Sequence, residues 1–317
     1  MLNRRISLSI IRIEMTHQSV RRDLLLSFYS TSETPMKPHQ NKPPLLLSIL
    51  CAFALIACLN PTVVASESKS QGHIAKDTAW ETPYHIIDSG VEGPTVVLTG
   101  GIHGNEPAGF RAAEQIRHWP IIKGRLVVVP KVNIPGLQAN TRFMPNVSQE
   151  LRDLNRDFSV NSAKGITTKG VLATELWEFV KNQEPDWVID LHEGFEFHNS
   201  HRPSKGKKRS VGSTIIYRES ESLNPMIERA LLAVNDHVSD PNNVFVPLKR
   251  GPVSGSLANA SIVNLGAKSM ILETTYKDQP ISLRTRQHRA MANSLLNDIG
   301  LIDHDCSHLV SPGTLSE

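Results

Sequence analysis

His103 and Glu106 have the side chains and the spacing of a metal-binding pair. They stand three residues apart in the segment 99–110, TGGIHGNEPAGF, which follows an apolar stretch and contains a glycine turn. An imidazole nitrogen and a carboxylate oxygen are both ligands that zinc accepts in proteins. The alternative is that Glu106 stabilises a helix that starts at Pro107 and that His103 is an ordinary loop histidine.

A second histidine and another acidic residue stand at the ends of two further apolar stretches. His192 follows 187–191 in the segment WVIDLHEGFEFH, and Glu273 follows the apolar residues of ILETT. Asp190 or Glu193 is placed to orient the His192 ring, as carboxylates commonly do at metal sites. A buried acid such as Glu273 beside a metal is suited to moving a proton, whereas the alternative is a strand-end residue that faces solvent.

Side chains between these segments are candidates for binding a substrate. Arg142 stands alone, and Asn155 and Arg156 lie in the run DLNR at 153–156. The planar guanidinium group of arginine matches a carboxylate, so an arginine near a metal selects acidic substrates. Each of these charged residues on its own is also typical of a surface salt bridge.

Alternating strand and helix patterns predict the scaffold that positions these residues. This alternation indicates a single α/β domain over 83–300, with a mixed, mainly parallel sheet covered by helices on both faces. Ligands of such sheets gather at the carboxyl ends of the strands, where the candidate residues lie. Residues 66–82 are predicted to be a linker and residues 301–317 a disordered tail. The predicted strands are 95–99, 125–130, 187–191, 213–217 and 269–272, and the predicted helices are about 107–118, 171–182, 223–238, 255–265 and 284–298.

Residues 1–65 are predicted to be a leader that contains a signal peptide. Its residues 45–57 form an uncharged apolar run that reaches about 20 Å as a helix, too short for a bilayer core of about 30 Å. Met36, which precedes this run closely, is a candidate for the true start. Two processing sites compete, lipidation at Cys58 and cleavage after Ala65. Either one predicts an exported protein, periplasmic or lipid-anchored at a bacterial membrane, with membrane attachment only through Cys58.

Composition and charge exclude several classes of protein. The chain is 39% hydrophobic and 21% charged, which excludes a disordered, collagen-like or polytopic membrane protein. The formal net charge of +3 comes from the leader, because residues 1–58 hold seven Lys and Arg residues against three acidic residues. The remainder has a net charge of −1, so no nucleic-acid partner is expected.

The four motifs, taken in their order, resemble a known enzyme family. H-x-x-E, DLNR, a strand-end DLH and a strand-end glutamate extend over about residues 94–298. This series resembles the zinc carboxypeptidase superfamily and, within it, the succinylglutamate desuccinylase/aspartoacylase family. The resemblance implies a zinc-carboxypeptidase-like fold with one Zn²⁺ per chain. The implied zinc ligands are His103, Glu106 and His192.

The same resemblance implies roles for the remaining candidates. Glu273 would act as general base and acid, and Arg142 would polarise the scissile carbonyl. Asn155 and Arg156 would hold the carboxylate of the substrate. A substrate-binding tyrosine is also typical of the superfamily, and its candidates here are Tyr217 and Tyr276.

These implications predict a zinc-dependent hydrolase, or deacylase, that cleaves an amide bond in a small carboxylate-bearing substrate such as an N-acyl amino acid. Because an exported enzyme meets cell-wall fragments, the nearest alternative is a metallo-carboxypeptidase or amidase that acts on murein peptides. A second alternative is a non-catalytic lipoprotein that keeps the fold as a binding module. The sequence leaves the acyl group and the oligomeric state undetermined.

Overall fold

An eight-stranded mixed sheet forms the centre of the fold. The structure is a computed structural model that describes residues 66–161, 165–236 and 238–310. In spatial order, the strands are β1 (Ser68–Ile74), β2 (Thr82–Asp88), β4 (Arg125–Val129), β3 (Thr95–Gly100), β7 (Trp187–Gly194), β10 (Lys268–Thr275), β8 (Thr214–Tyr217) and β9 (Val246–Leu248). The four central strands, β4, β3, β7 and β10, run parallel to one another. Strands β5 (Phe158–Asn161) and β6 (Gly165–Thr168) form a separate antiparallel pair.

Helices cover both faces of the sheet, as the sequence predicted. One face carries α1 (Pro107–Ile116), α4 (Asn224–Asn235) and α6 (Ile281–Ile299). The other carries α3 (Val171–Asn182) and α5 (Leu257–Leu265). The remaining helical segments are the short α2 (Ile134–Gln138) and a 3-10 turn at Leu154–Arg156. The α/β fold class is therefore confirmed.

The central strands are buried on both faces because their apolar residues alternate between two cores. Along β7, Ile189 and Leu191 pack under α1 and α6, while Val188 packs on the opposite side under α3 and α5. The long apolar runs typical of a covered parallel sheet follow directly from this double burial. The same alternation decides which face each polar residue near the strand end occupies.

The predicted linker over 66–82 is wrong for β1. Ser68–Ile74 pair antiparallel with β2 and form the edge of the sheet. Most of their side chains are exposed, so the strand has no apolar pattern, and main-chain hydrogen bonds rather than burial hold it in place.

The predicted disorder at the C-terminus is wrong for 301–310. Leu301, Ile302 and Cys306 are buried in the core beside α6. Main-chain contacts add to this, since the amide of Ile122 donates to the carbonyl of Leu301 at 2.8 Å. Residues 311–317 lie outside the described residues.

The predicted leader also lies outside the described residues, with Met36, Cys58 and both processing sites. Its signal peptide and its lipidation stay predictions. Among the helices of the described ranges, none has both the length and the hydropathy that crossing a bilayer requires.

Candidate metal centre and active site

The carboxyl ends of three parallel strands bring the candidate residues together. His103 follows β3, Glu106 is the last residue before α1, and His192 lies near the end of β7. The parallel register of β7 and β10 pairs Glu273 with His192 directly. All four side chains are buried.

Three of these side chains converge on one point. A Glu106 oxygen lies 2.8 Å from Nδ1 of His103, and its other oxygen lies 2.8 Å from Nδ1 of His192. The two Nδ1 atoms are 3.1 Å apart, and one ligand atom from each of the three residues lies within 4.8 Å of the others. Tetrahedral zinc with bonds of about 2.1 Å places its ligand atoms roughly 3.4 Å apart. The donor set and its spacing therefore fit a zinc ion with only small adjustments.

The outer nitrogen of each imidazole faces a carboxylate. Nε2 of His192 lies 2.7 Å from Oδ2 of Asp190, and the hydroxyl of Thr99 donates to the other Asp190 oxygen at 2.7 Å. Nε2 of His103 lies 3.2 Å from Oδ1 of Asp153. A carboxylate that accepts the Nε2 proton leaves the lone pair on Nδ1 for a metal. The sequence left Asp190 and Glu193 open as partners of His192, and Asp190 is the one in contact.

The charges of this cluster favour a bound cation. Burial raises the pKa of Glu106, but His103 and His192 beside it lower the pKa more strongly, so that it falls well below its usual range. Burial lowers the pKa of His192, yet Asp190 and Glu106 raise it to a value well above its ordinary one. The carboxylates around His192 therefore favour a positive charge at this point, which is either a proton on His192 or a metal ion in its place.

Glu273 has the electrostatic character of a proton carrier. Burial is the main cause that raises the pKa of its carboxyl to about 8, and the nearby Glu106 carboxylate adds to the shift. A carboxyl group that titrates near neutral pH is matched to general acid-base catalysis. The sheet register places this group beside the ring of His192.

The comparisons with known proteins agree with this geometry. Residues 92–201 match the succinylglutamate desuccinylase/aspartoacylase catalytic domain. The resemblance that the motifs predicted is therefore confirmed. The matched segment includes His103, Glu106 and His192.

One curated relative and several solved structures are similar to the chain. An N-alpha-acetyl-L-2,4-diaminobutyric acid deacetylase from Halomonas elongata is 32% identical over 124 residues, 37% of this chain and 34% of the relative. The cell shape determinant Csd4 from Helicobacter pylori has a TM-score of 0.56 at 21% identity, over 75% of this chain and 55% of Csd4. A succinylglutamate desuccinylase/aspartoacylase from Rhodobacter sphaeroides has a TM-score of 0.51 at 18% identity, over 79% and 70% of the two chains. The chain thus spans about a third of the curated relative and about half of Csd4.

Arg142 lies inside the site. Its Nη1 donates to Oε1 of Glu106 at 2.8 Å, and its Nη2 is 3.9 Å from Oδ2 of Asp153. About 38% of the side chain is exposed, so the guanidinium group reaches both Glu106 and solvent. Its position suits the role that the family resemblance implies, which stays a prediction.

Asn155 and Arg156 differ in how far they are available to a ligand. Asn155 is buried, its Oδ1 accepts from the amide of Leu257 at 3.1 Å, and its Nδ2 lies 3.1 Å from Nε2 of His192. Arg156 is exposed. Arg156 is thus the more accessible of the two predicted carboxylate-binding residues, and Asn155 contacts the site from within the protein.

The two candidate tyrosines lie at opposite ends of β10. The Tyr217 side chain is buried, and its hydroxyl donates to Oδ1 of Asn224 at 2.7 Å, at the far end of β10 from Glu273. Tyr276 is 43% exposed and directly follows β10, where its amide donates to the carbonyl of Gly194. Tyr276 is therefore the candidate beside the site.

Sequence reasoning did not assign a partner to His103. Asp153, 50 residues further along the chain, is that partner. Burial raises the pKa of its carboxyl, but the contact with His103 and the nearby arginines lower it more strongly, to about 2. The only sequence signal was its place in the DLNR run, because no local spacing indicates a contact over that distance.

Proposed function

We propose that this chain is a zinc-dependent deacylase that hydrolyses an amide bond in a small carboxylate-bearing substrate such as an N-acyl amino acid. The observation that carries the proposal is the buried cluster of His103, Glu106 and His192, with both outer imidazole nitrogens facing carboxylates. Two imidazoles and one carboxylate are a common donor set of catalytic zinc.

His103, Glu106 and His192 would hold the zinc ion, which would supply Lewis-acid activation of the attacking water. Glu273 takes a proton from the water and delivers it to the leaving nitrogen of the amide. The raised pKa of Glu273, about 8, allows it to hold that proton between the two transfers. The buried strand end keeps the carboxyl group in one place during both.

Arg142 and Arg156 bind the charged parts of the substrate. Arg142 lies against Glu106 and donates hydrogen bonds toward the scissile carbonyl, where negative charge develops during the reaction. Arg156, exposed and next to Asn155, pairs with the carboxylate of the substrate. A substrate that carries a carboxylate near its amide bond satisfies both groups.

The similarity to the Halomonas elongata deacetylase supports an N-acyl amino acid as the substrate. A murein peptide is the second candidate, supported by the predicted export signal. Csd4 itself is a D,L-carboxypeptidase. A non-catalytic binding module is the third candidate.

We further propose that the protein is exported, either as a periplasmic enzyme or as a lipoprotein attached through Cys58. Expression of the full chain in a bacterium, followed by fractionation, tests this. A Cys58→Ser variant that leaves the membrane fraction indicates lipidation, whereas a full-length precursor that remains in the cytoplasm contradicts export.

The activity is tested with the zinc-loaded chain and a panel of N-acetyl and N-succinyl amino acids beside murein tri- and tetrapeptides. We expect hydrolysis of the acyl amino acids and its loss when the substrate carboxylate is amidated. Faster hydrolysis of the murein peptides would transfer the assignment to the peptidase alternative. Zinc binding without turnover of any member would favour the binding module.

A further inference from the structure

A second buried polar cluster lies behind the candidate metal centre, on the opposite face of the sheet. The register that pairs His192 with Glu273 on one face pairs Glu193 with Thr274 on the other. Arg284 and His288 of α6 complete this cluster. All four of its side chains are buried among the helices α1 and α6.

Glu193 is the centre of the cluster and connects four elements. Its Oε2 accepts a hydrogen bond from the amide of Ala108 in α1 at 2.8 Å. Its Oε1 accepts from the guanidinium group of Arg284 in α6 and from the hydroxyl of Thr274 in β10 at 3.3 Å. Thr274 in turn lies 3.1 Å from Nε2 of His288.

The contact with Ala108 replaces a missing helix cap. Glu106 occupies the N-cap position of α1, but its side chain makes no capping hydrogen bond because it faces the two histidines. Pro107 has no N–H, so the amide of Ala108 is the first donor of the helix. The Glu193 carboxylate accepts from that donor and also interacts favourably with the positive end of the helix dipole.

The same residue touches Glu106 through its backbone. The amide of Glu193 donates to Oε2 of Glu106 at 3.0 Å, the oxygen that faces His192. Tight packing reinforces this contact, since a Cβ on Gly109 would lie only 2.6 Å from the carbonyl oxygen of Leu191. Both the side chain and the main chain of Glu193 therefore hold the first turn of α1 against β7.

We infer that Glu193 is a positioning residue for the metal centre, which acts by fixing the first turn of α1 on β7 and thereby the distance between Glu106 and His192. This inference rests on the proposed zinc-dependent function. Arg284 balances the buried charge of Glu193, and Thr274 links the arrangement to the strand that carries Glu273. Partners of this kind typically change metal affinity 10–100-fold when they are lost.

The test compares Glu193→Gln with a control that breaks a contact between α1 and α6, the two helices that the Glu193 side chain contacts. Arg289→Met removes a buried hydrogen bond from α6 to Gln115 of α1, near the other end of α1. For each full-length protein, the zinc dissociation constant is measured by competition with a chelator and the melting temperature is measured without zinc. We expect about 10–100-fold weaker zinc binding for Glu193→Gln, and a lower melting temperature with wild-type zinc affinity for Arg289→Met.

Thr274→Val serves as a milder variant that keeps the side-chain shape, in case Glu193→Gln does not fold. We expect it to weaken zinc binding a few-fold. Unchanged zinc affinity in whichever of these two variants folds, or an equal loss in Arg289→Met, would overturn the positioning role alone. A wild-type chain that binds no zinc would overturn the proposed function, and the positioning role with it.

Discussion

The candidate metal centre has two halves that are built in different ways. His192, Asp190 and Glu273 belong to the adjacent strands β7 and β10, whereas His103, Asp153 and Arg142 belong to connecting segments. In the strand half, Asp190 is fully buried and lies 2.7 Å from the ring of His192. In the loop half, the Asp153 side chain is 23% exposed and lies 3.2 Å from the ring of His103.

The two halves differ in how rigidly their residues are held and in how far solvent reaches them. Strand register holds Glu273 and His192 at a fixed separation, because a shift of the pairing by one residue would move every buried side chain to the wrong face. The loop half is more open to solvent, and it contains Arg142, while Arg156 lies in the 3-10 turn directly after Asp153. The rigid half thus holds the residue proposed to transfer the proton, and the more exposed half lies beside the residues proposed to bind the substrate.

The largest effect is expected when both halves lose their imidazole. A His103→Ala/His192→Ala double variant should contain almost no zinc, whereas the wild type should contain about one ion per chain. Elemental analysis of the purified proteins measures this. A His198→Ala/His304→Ala variant, which removes two histidines outside the centre, should keep its zinc. Full zinc content in the first variant would contradict the assigned ligands.

Glu273→Gln tests the strand half without disturbing the ligands. The amide has nearly the same shape but cannot carry the proton, so turnover should fall by about 10²–10⁴-fold. Zinc content should stay at the wild-type level, which elemental analysis checks alongside the rate measurement. Turnover within a few-fold of the wild type would exclude Glu273 as the general base.

The two orienting carboxylates compare the halves directly. Asp190→Asn should weaken zinc binding by roughly 10–100-fold, because the amide cannot hold the Nε2 proton of His192 as a carboxylate does. Asp153→Asn should weaken it less, since that contact is longer and closer to solvent. Chelator competition gives both dissociation constants. A larger loss for Asp153→Asn would reverse the ranking of the two halves.

The smallest expected effect is on the stability of the protein and concerns Asp157, which directly follows the 3-10 turn at Leu154–Arg156. Its side chain is buried, neither oxygen has a hydrogen-bond partner within the described ranges, and burial raises its pKa from 3.8 to about 7. Because the folded pKa exceeds the unfolded one, this group supports folding below pH 4 and loses that contribution as the pH rises through 7. Asp157→Asn should therefore gain stability relative to the wild type between pH 4 and pH 8.

Urea unfolding of both proteins across that range measures the difference in unfolding free energy. A Glu175→Gln variant, which alters an exposed acid on α3, should follow the wild-type profile. If the free-energy difference for Asp157→Asn is independent of pH, the raised pKa is wrong.

Sequence reasoning succeeded where a residue's place follows from its strand. The apolar runs before His192 and Glu273 predicted buried parallel strands, and parallel strands end at one edge of the sheet. It failed for β1, whose exposed polar side chains have no pattern to read, and for 301–310, where Leu301 and Cys306 complete the core late in the chain.

The sequence by itself determined the α/β scaffold and singled out the three side chains of the candidate metal centre and the acid beside them, because residue type, spacing and strand ends are local properties. Only the tertiary structure decided that Asp153 faces His103, that Asp190 rather than Glu193 faces His192, and that Glu193 caps α1 from behind. Those contacts join residues far apart in the chain or depend on which face of a strand a residue occupies. Their geometry is set by the packing of helices on the sheet, which no short stretch of sequence contains.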